Sequence, residues 1–142
     1  FGLATHYTLE MMSRFDIDAL EHSINLSRTK YFNYLKESDF ENIKMIIKNL
    51  IESKKFQDLI KDAKIVHEQA LIYKEEVKVL DLLLYKNDRF VVVDYKTTTE
   101  ILTSHKVQVQ EYKNAIAQIS NTKDVDGYLI YLKENGIEFL KV

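Results

Sequence analysis

Asp94 and Lys96 stand two residues apart at the end of Phe90-Val-Val-Val-Asp-Tyr-Lys96, a run of apolar β-formers that ends in charge. Residues two apart on a strand share a face, so this carboxylate and this ammonium point the same way. An unpaired carboxylate at the end of an apolar strand is costly to desolvate, and something cationic belongs beside it. Lys96 is part of that answer, and a metal ion is the other candidate. Asp81 sharpens the pattern, because it lies in the middle of a second apolar run, Val77 to Tyr85, and Lys86-Asn-Asp-Arg89 between the runs is a polar turn signal. The two runs read as an antiparallel hairpin that brings Asp81 and Asp94 together on one face. Two buried carboxylates repel unless a cation bridges them. The alternative is that both are structural and salt-bridged to lysines.

The elements that must position these groups follow from periodicity. Phe90 to Val93 reads as a strand buried on both faces and central in a sheet. Ile65 to Tyr73 reads as a strand joined by Lys74-Glu-Glu76 to the Asp81 strand, which makes three consecutive strands of a meander. Glu68 lies on the first of them and can approach the same face, whereas His67 reads as a surface or packing residue. A helix is expected from about Ser104 to Ile119, with Val107, Tyr112, Ala115, Ile116 and Ile119 as its inner stripe. Gln108 and Tyr112 are neighbours four apart on it, and packing is the plain reading of both. Residues 121–127 read as a polar connection, and Tyr128–Leu132 and Ile137–Val142 as strands joined by a turn at Glu134-Asn-Gly136.

The first half reads as helical. Phe1 to Met12 is expected to form a helix with His6 and Glu10 on one side, and a lone helical histidine is more often structural than a ligand. Phe15 to Ala63 looks helical throughout, with Ser38 and Glu41 as a capping box. Phe40, Ile43, Ile47, Leu50 and Ile51 form an apolar stripe, which Phe56, Leu59 and Ile60 continue. The lysines scattered here (Lys44, Lys48, Lys54, Lys55, Lys61, Lys64) read as a solvated face, with contact to a DNA backbone as the alternative.

The 142 residues suit one domain with a sizeable core, and no proline with only three glycines argues against a long linker. Lys and Arg number 20 against 22 Asp and Glu, so the global charge gives no sign of nucleic acid and leaves a local basic groove open. Without cysteine there are no disulfides, thiolate zinc sites or cysteine-ligated iron–sulfur clusters, which fits a cytoplasmic protein. No apolar run approaches transmembrane length and no signal peptide is visible. The start at Phe1, with no methionine, suggests a piece of a longer protein.

Four blocks, taken in order, resemble the RecB-type nuclease domain of the PD-(D/E)XK, restriction-endonuclease-like superfamily. Gly2-Leu-Ala-Thr-His6-Tyr-Thr-Leu-Glu10 is similar to that family's opening G-x-x-x-H-x-x-L-E helix. Glu68 resembles its first-strand glutamate, Asp81 with Asp94-Tyr-Lys96 its D…D-x-K core, and Gln108-Val-Gln-Glu-Tyr112 its Q-x-x-x-Y helix motif. Val79 stands where the family usually has glycine, two residues before the first aspartate, and the cysteines of its cluster-bearing members are missing. That departure points away from AddB subunits and CRISPR-associated exonucleases. It points toward RecB- and AddA-like chains, in which the nuclease ends a helicase polypeptide; Gly127 to Leu132 resembles the close of AddA-like chains.

The resemblance implies an α/β fold, a mixed central sheet flanked by helices with the Asp81–Asp94 hairpin at its heart. It implies a site in which His6, Asp81, Asp94 and the main-chain carbonyl of Tyr95 hold Mg2+ or Mn2+. Lys96 acts there on the phosphate and the attacking water, and Gln108 and Tyr112 orient Lys96 or a phosphate. Glu68 and Glu10 belong to the surroundings of that site, Glu68 through an outer contact or a second ion. The reaction implied is hydrolysis of DNA, with single-stranded ends as substrate and with helicase domains of the parent chain and a partner subunit as partners. Two rivals stand beside it: a catalytically silent module that binds DNA or a helicase, and an interaction module whose carboxylates make ordinary salt bridges.

Overall fold

The computed structural model describes residues 1–142. Four helices come first: α1 (Gly2–Glu10), α2 (Ile17–Tyr31), α3 (Glu37–Glu52) and α4 (Lys54–Ile60). Strands β1 (Lys64–Tyr73), β2 (Glu76–Lys86) and β3 (Arg89–Lys96) follow, then helix α5 (Thr103–Ser120) and strands β4 (Val125–Lys133) and β5 (Gly136–Lys141). The five strands form one sheet in chain order, with β3 and β4 parallel and the other pairs antiparallel. The fold is therefore α/β with a mixed sheet, as expected, and α5 is the crossover that a parallel pair requires.

Alternation along the strands sorts the side chains into two layers. Val91, Val93 and Tyr95 on β3, with Ile130 and Leu132 on β4, bury against α1 to α4, where Ile43, Ile47, Leu50 and Phe56 are fully enclosed. Val92 on β3 and Leu129 and Tyr131 on β4 face α5 instead. The helical half is not continuous between Phe15 and Ala63, since breaks at residues 32–36 and at Ser53 divide it into α2, α3 and α4. The expected cap of α3 is displaced as well. Lys36 is the N-cap, and its backbone N–H donates to Asp39, not to Glu41. Glu41 is drawn away, with Glu37, to the Arg28 guanidinium on α2, at 3.0 and 2.9 Å.

Helix α5 spans its expected range and buries Tyr112, Ala115 and Ile116 of its expected stripe, but not the two outer members. Val109, Tyr112, Ala115 and Ile116 face the sheet, whereas Val107 and Ile119 are more than half exposed. The closeness of α5 to β4 rests on Gly127, which lies inside a strand that begins at Val125 and not in a connecting loop. A Cβ at that position meets Val109 Cγ1 at 2.7 Å and the Lys113 stem at 2.8 Å. The lysine stem can move aside, but a buried β-branched valine cannot turn to another rotamer at low cost.

Gly127→Ala is therefore expected to destabilise the chain by about 1–3 kcal/mol through overpacking. Urea unfolding checks this, and an unchanged midpoint would show that α5 does not depend on the missing methyl.

Candidate metal and phosphate site

The site lies where β2 and β3 part. Their pairing runs from Lys86–Arg89 to Leu82–Val93 and stops one residue short of the two aspartates. Both strands of the β1–β2 pair change course at the same level. Leu82 and Leu84 face the four-helix layer while Leu80 faces α5, although residues two apart should share a face. On β1, Ile65 and Leu71 are split between the layers in the same way. The turn-over point on β1 is Glu68, at φ 47°, a left-handed residue in mid-strand. Such a conformation costs a non-glycine residue about 1–2 kcal/mol and marks a bulge-like break in the pleat. The other residues of positive φ lie in turns or at helix ends: Lys74–Glu75 and Asn87–Asp88, for example, form the tight turns of the two hairpins.

Asp81 fills the gap that the parting strands leave. Its Oδ2 accepts the Tyr95 N–H at 2.9 Å, a main-chain donor that β2 no longer pairs. Its Oδ1 lies 3.3 Å from His6 Nδ1. His6 arrives from the other layer, on α1, whose first turn abuts the end of β3: a Cβ on Gly2 would stand 3.2 Å from Thr97 Oγ1. Buried hydrogen bonds hold α1 to α2, between Thr8 Oγ1 and Ser27 Oγ at 2.7 Å and from Ser27 Oγ to the Ala4 carbonyl at 3.2 Å. His6, Glu68 and Asp81 each bring a ligand atom within 4.8 Å of the others, a spacing that could hold an ion. Glu10 adds negative potential at Glu68.

Asp94 stands beside this group, turned toward α5. Its buried Oδ2 is 2.9 Å from Lys96 Nζ, in an ion pair with that ammonium. Lys96 Nζ also donates to Gln108 Oε1 at 2.9 Å, so the ammonium spans Asp94 and α5. Tyr112, one turn further along α5, completes that side. All five motif residues of the strand ends and α5, namely Asp81, Asp94, Lys96, Gln108 and Tyr112, thus surround one gap, with His6 and Glu68 on its other rim. Tyr95 belongs to the gap through its main chain, while its ring is buried among the helices with the hydroxyl unpartnered.

The electrostatics follow from this crowding. Burial, and then the charge of Asp81, push the Asp94 carboxyl up to about 7. Asp81 moves the other way despite its burial, held below the usual carboxylate range by His6, Asp94 and the Tyr95 N–H. His6 is raised above the ordinary imidazole range, first by its hydrogen bond to Asp81 and against its own desolvation. Glu68 is raised, mainly by burial and then by Asp81 and Glu10. Burial with Asp94 and Asp81 nearby pushes Tyr112 up to about 12, so its hydroxyl is a donor at neutral pH and not a base.

Two features here left no mark in the sequence. His105 Nδ1 meets the Tyr131 hydroxyl at 2.8 Å, and burial, then the nearby Lys96 ammonium, lower the imidazole's proton affinity. Beyond them, α5 and the far end of the β1–β2 hairpin wall a groove of about 510 Å3, from Val77 and Val79 to Gln108 and Tyr112. Its one lysine, Lys78, is tied to Glu76 and Glu111, each at 3.1 Å.

No family model and no curated protein matches the chain. A solved structure described as "Crystal structure of SSO0001" is similar over 97% of this chain at 14% identity, with a TM-score of 0.42. The chain spans 65% of the length of that neighbour. No helix is long and apolar enough to cross a membrane.

The Asp94 shift carries a sign that can be measured. Its folded value lies above its ordinary 3.8, so between about pH 4 and 7 the folded chain holds a proton that the unfolded chain has lost. Stability in a chelator should therefore fall as pH rises through that window, at up to about 1.4 kcal/mol per pH unit. Asp94→Asn should flatten the slope and leave the chain more stable above neutrality. Denaturant melts at several pH values test this, and a wild-type midpoint that is level across the window would contradict it.

Proposed function

We propose that the chain is a divalent-metal-dependent deoxyribonuclease of the PD-(D/E)XK type, which hydrolyses DNA phosphodiester bonds. The observation that carries this reading is the pairing of Asp81 and Asp94 at the parted ends of β2 and β3, with Lys96 on the same face and His6 closing the gap. Burial, and then the charge of Asp81, raise the proton affinity of Asp94 even with Lys96 beside it, the strain of two enclosed carboxylates that a divalent ion would relieve. Carboxylates with one imidazole make a hard, oxygen-rich donor set that suits Mg2+ or Mn2+ better than zinc. His6, Glu68 and Asp81, whose ligand atoms lie within 4.8 Å of one another, would hold such an ion, and Asp94 and the Tyr95 carbonyl, which lie outside that group, would have to turn toward it to join them. When bound, a divalent ion supplies electrophilic polarisation of a phosphate and acidification of water.

The chain's own residues do the rest. Lys96 presents its ammonium beside Asp94, where it can orient water and offset charge that develops on phosphoryl oxygens. Gln108 fixes that ammonium from α5 through the 2.9 Å hydrogen bond. Tyr112, kept protonated, offers a donor to the same region. His6 must be neutral to act as a ligand, so its raised proton affinity makes ion binding compete with protons near neutral pH.

The biological setting belongs to the same proposal. The chain would serve as the nuclease part of a RecB- or AddA-like helicase–nuclease in the cytoplasm. It would trim DNA ends for repair of double-strand breaks by recombination, beside a partner subunit. Single-stranded ends delivered by the helicase domains would be its substrate. A formal charge of −2 gives the chain alone little general hold on a phosphate backbone, which fits such delivery.

A second reading is favoured by the ion pairs themselves. Lys96 at 2.9 Å from Asp94 and His6 at 3.3 Å from Asp81 partly neutralise both carboxylates within the chain. A silent module that binds DNA or a helicase, or an interaction module with ordinary salt bridges, would need no ion.

Calorimetric titration with manganese, run beside a cleavage assay, separates the readings. Lys96→Ala is expected to keep the fold and the ion and to lose about 100- to 1000-fold in cleavage rate. Asp94→Ala should lose ion binding and cleavage together, and Glu68→Gln should weaken ion binding while Lys96 stays in place. Cleavage by Lys96→Ala at the wild-type rate would remove Lys96 from the chemistry. No heat of manganese binding to the wild-type chain would favour the silent or structural module.

A further inference from the structure

Three residues of α5 line the groove that leads to the gap on successive turns: His105, Gln108 and Tyr112. Residues three and four apart on a helix are neighbours on one face. Gln108 and Tyr112 belong to the site already described, and His105 does not. Its place is fixed from the sheet beneath. Tyr131 stands beside Lys96 in the register of the parallel β3–β4 pair, and its ring is fully buried. The Tyr131 hydroxyl meets His105 Nδ1 at 2.8 Å, with the ring centroids 5.8 Å apart.

That contact assigns the imidazole proton. Burial, with Asp94 and Glu138 nearby, holds the Tyr131 hydroxyl in its protonated form. Burial, and then the Lys96 ammonium, keep His105 below the ordinary imidazole range and therefore neutral at neutral pH. His105 is the side chain that the hydroxyl meets, so donation to Nδ1 is the arrangement that uses its proton. Nδ1 then accepts, and the ring's own N–H lies at Nε2. Nδ1 makes the ring's one hydrogen bond within the chain, which leaves Nε2 free on a half-buried side chain in the wall of the groove.

The other polar groups on this wall are donors too. Gln108 gives its carbonyl oxygen to Lys96, which leaves its amide N–H groups. Tyr112, pushed up to about 12, keeps its hydroxyl proton. The one carboxylate among the lining residues, Glu111, is taken by Lys78 at 3.1 Å. A guest that only accepts hydrogen bonds fits such a row, and phosphate oxygens only accept.

We propose that His105 is a substrate-binding residue whose Nε2–H donates to a non-bridging oxygen of the phosphodiester next to the one at the metal site. The strand then runs along the groove between α5 and the β1–β2 hairpin. This deepens the nuclease reading and rests on it for the presence of a strand at the gap. Tyr131 is the positioning residue, because it fixes the tautomer through Nδ1. A contact of this kind sets the register of a strand and reads no sequence.

A set of thymidine oligonucleotides, each with one linkage replaced by a neutral methylphosphonate, tests the contact. Binding is measured in excess chelator at low salt, so that nothing is cut. At one linkage the replacement is expected to weaken binding to the wild-type chain by about tenfold. His105→Ala should bind the unmodified strand about tenfold more weakly and lose nothing further from that replacement, the non-additivity of two groups in contact. Tyr131→Phe should fall between the two, and Ile119→Ala, exposed on α5, should match the wild type. His105→Ala leaves the buried Tyr131 hydroxyl without its partner. The double variant His105→Ala with Tyr131→Phe does not, and its urea midpoint verifies the fold.

Three results overturn the proposal: folded His105 variants that bind like wild type, losses that are additive at every linkage, or a wild-type chain that holds no oligonucleotide. Additive losses would reduce His105 to a packing partner of Tyr131. The two readings fail separately. A chain that shows the His105 coupling but never cleaves with manganese loses the nuclease reading alone. A chain that cleaves with manganese while His105→Ala binds and cleaves at the wild-type level loses the His105 contact alone.

Discussion

The hydrogen bond from the Tyr95 N–H to Asp81 Oδ2 is the contact on which the arrangement depends. Where β2 leaves β3, a buried main-chain donor loses its ladder partner, and such a group left unsatisfied costs about 1–3 kcal/mol. Asp81 supplies the missing acceptor with one carboxylate oxygen and keeps the other for His6. A strand separation that would be a defect in an ordinary sheet becomes a gap lined with side chains from both layers. His6 comes through it from the four-helix side, and Asp94, Lys96 and Gln108 meet it from the α5 side.

The gap is held at some expense to the fold. Asp94 and Asp81 are confined together with one lysine and one histidine, and Asp94 answers by holding its proton toward neutrality. Glu68 sits in a left-handed conformation that a glutamate does not favour. Neither feature improves packing. Both bring oxygen atoms to one point, and strain and unbalanced charge of this kind collect at functional sites.

Much of this was legible in the residues, for identifiable reasons. The β3 run declared itself because a strand buried on both faces is apolar without interruption, and the face shared by Asp94 and Lys96 followed from period two. The capping of α3 was misread because Arg28, distant in sequence, recruits Glu37 and Glu41. The inner stripe of α5 was read correctly at Tyr112, Ala115 and Ile116 and misread at its start, because the helix rests on Gly127, which puts Val109 and not Val107 against the sheet. The break at Glu68 left no signal at all. A glycine would have announced it, but here a glutamate adopts the conformation, and the pairing that forces it lies in the neighbouring strand.

That break divides the β1–β2 hairpin into two parts of unequal firmness. From Leu82 to Tyr85, β2 has β1 on one side and β3 on the other, whereas from Glu76 to Leu80 its only strand neighbour is β1. The outer part, residues 69–80, leans on α5 through Leu71, Leu80 and the Lys78–Glu111 pair. It can lift as a unit without disturbing the rest of the sheet, and its amides should exchange with solvent through that local opening while those of β3 await global unfolding. The same segment forms one wall of the groove that leads to Gln108 and Tyr112, so such an opening would widen the approach to the gap.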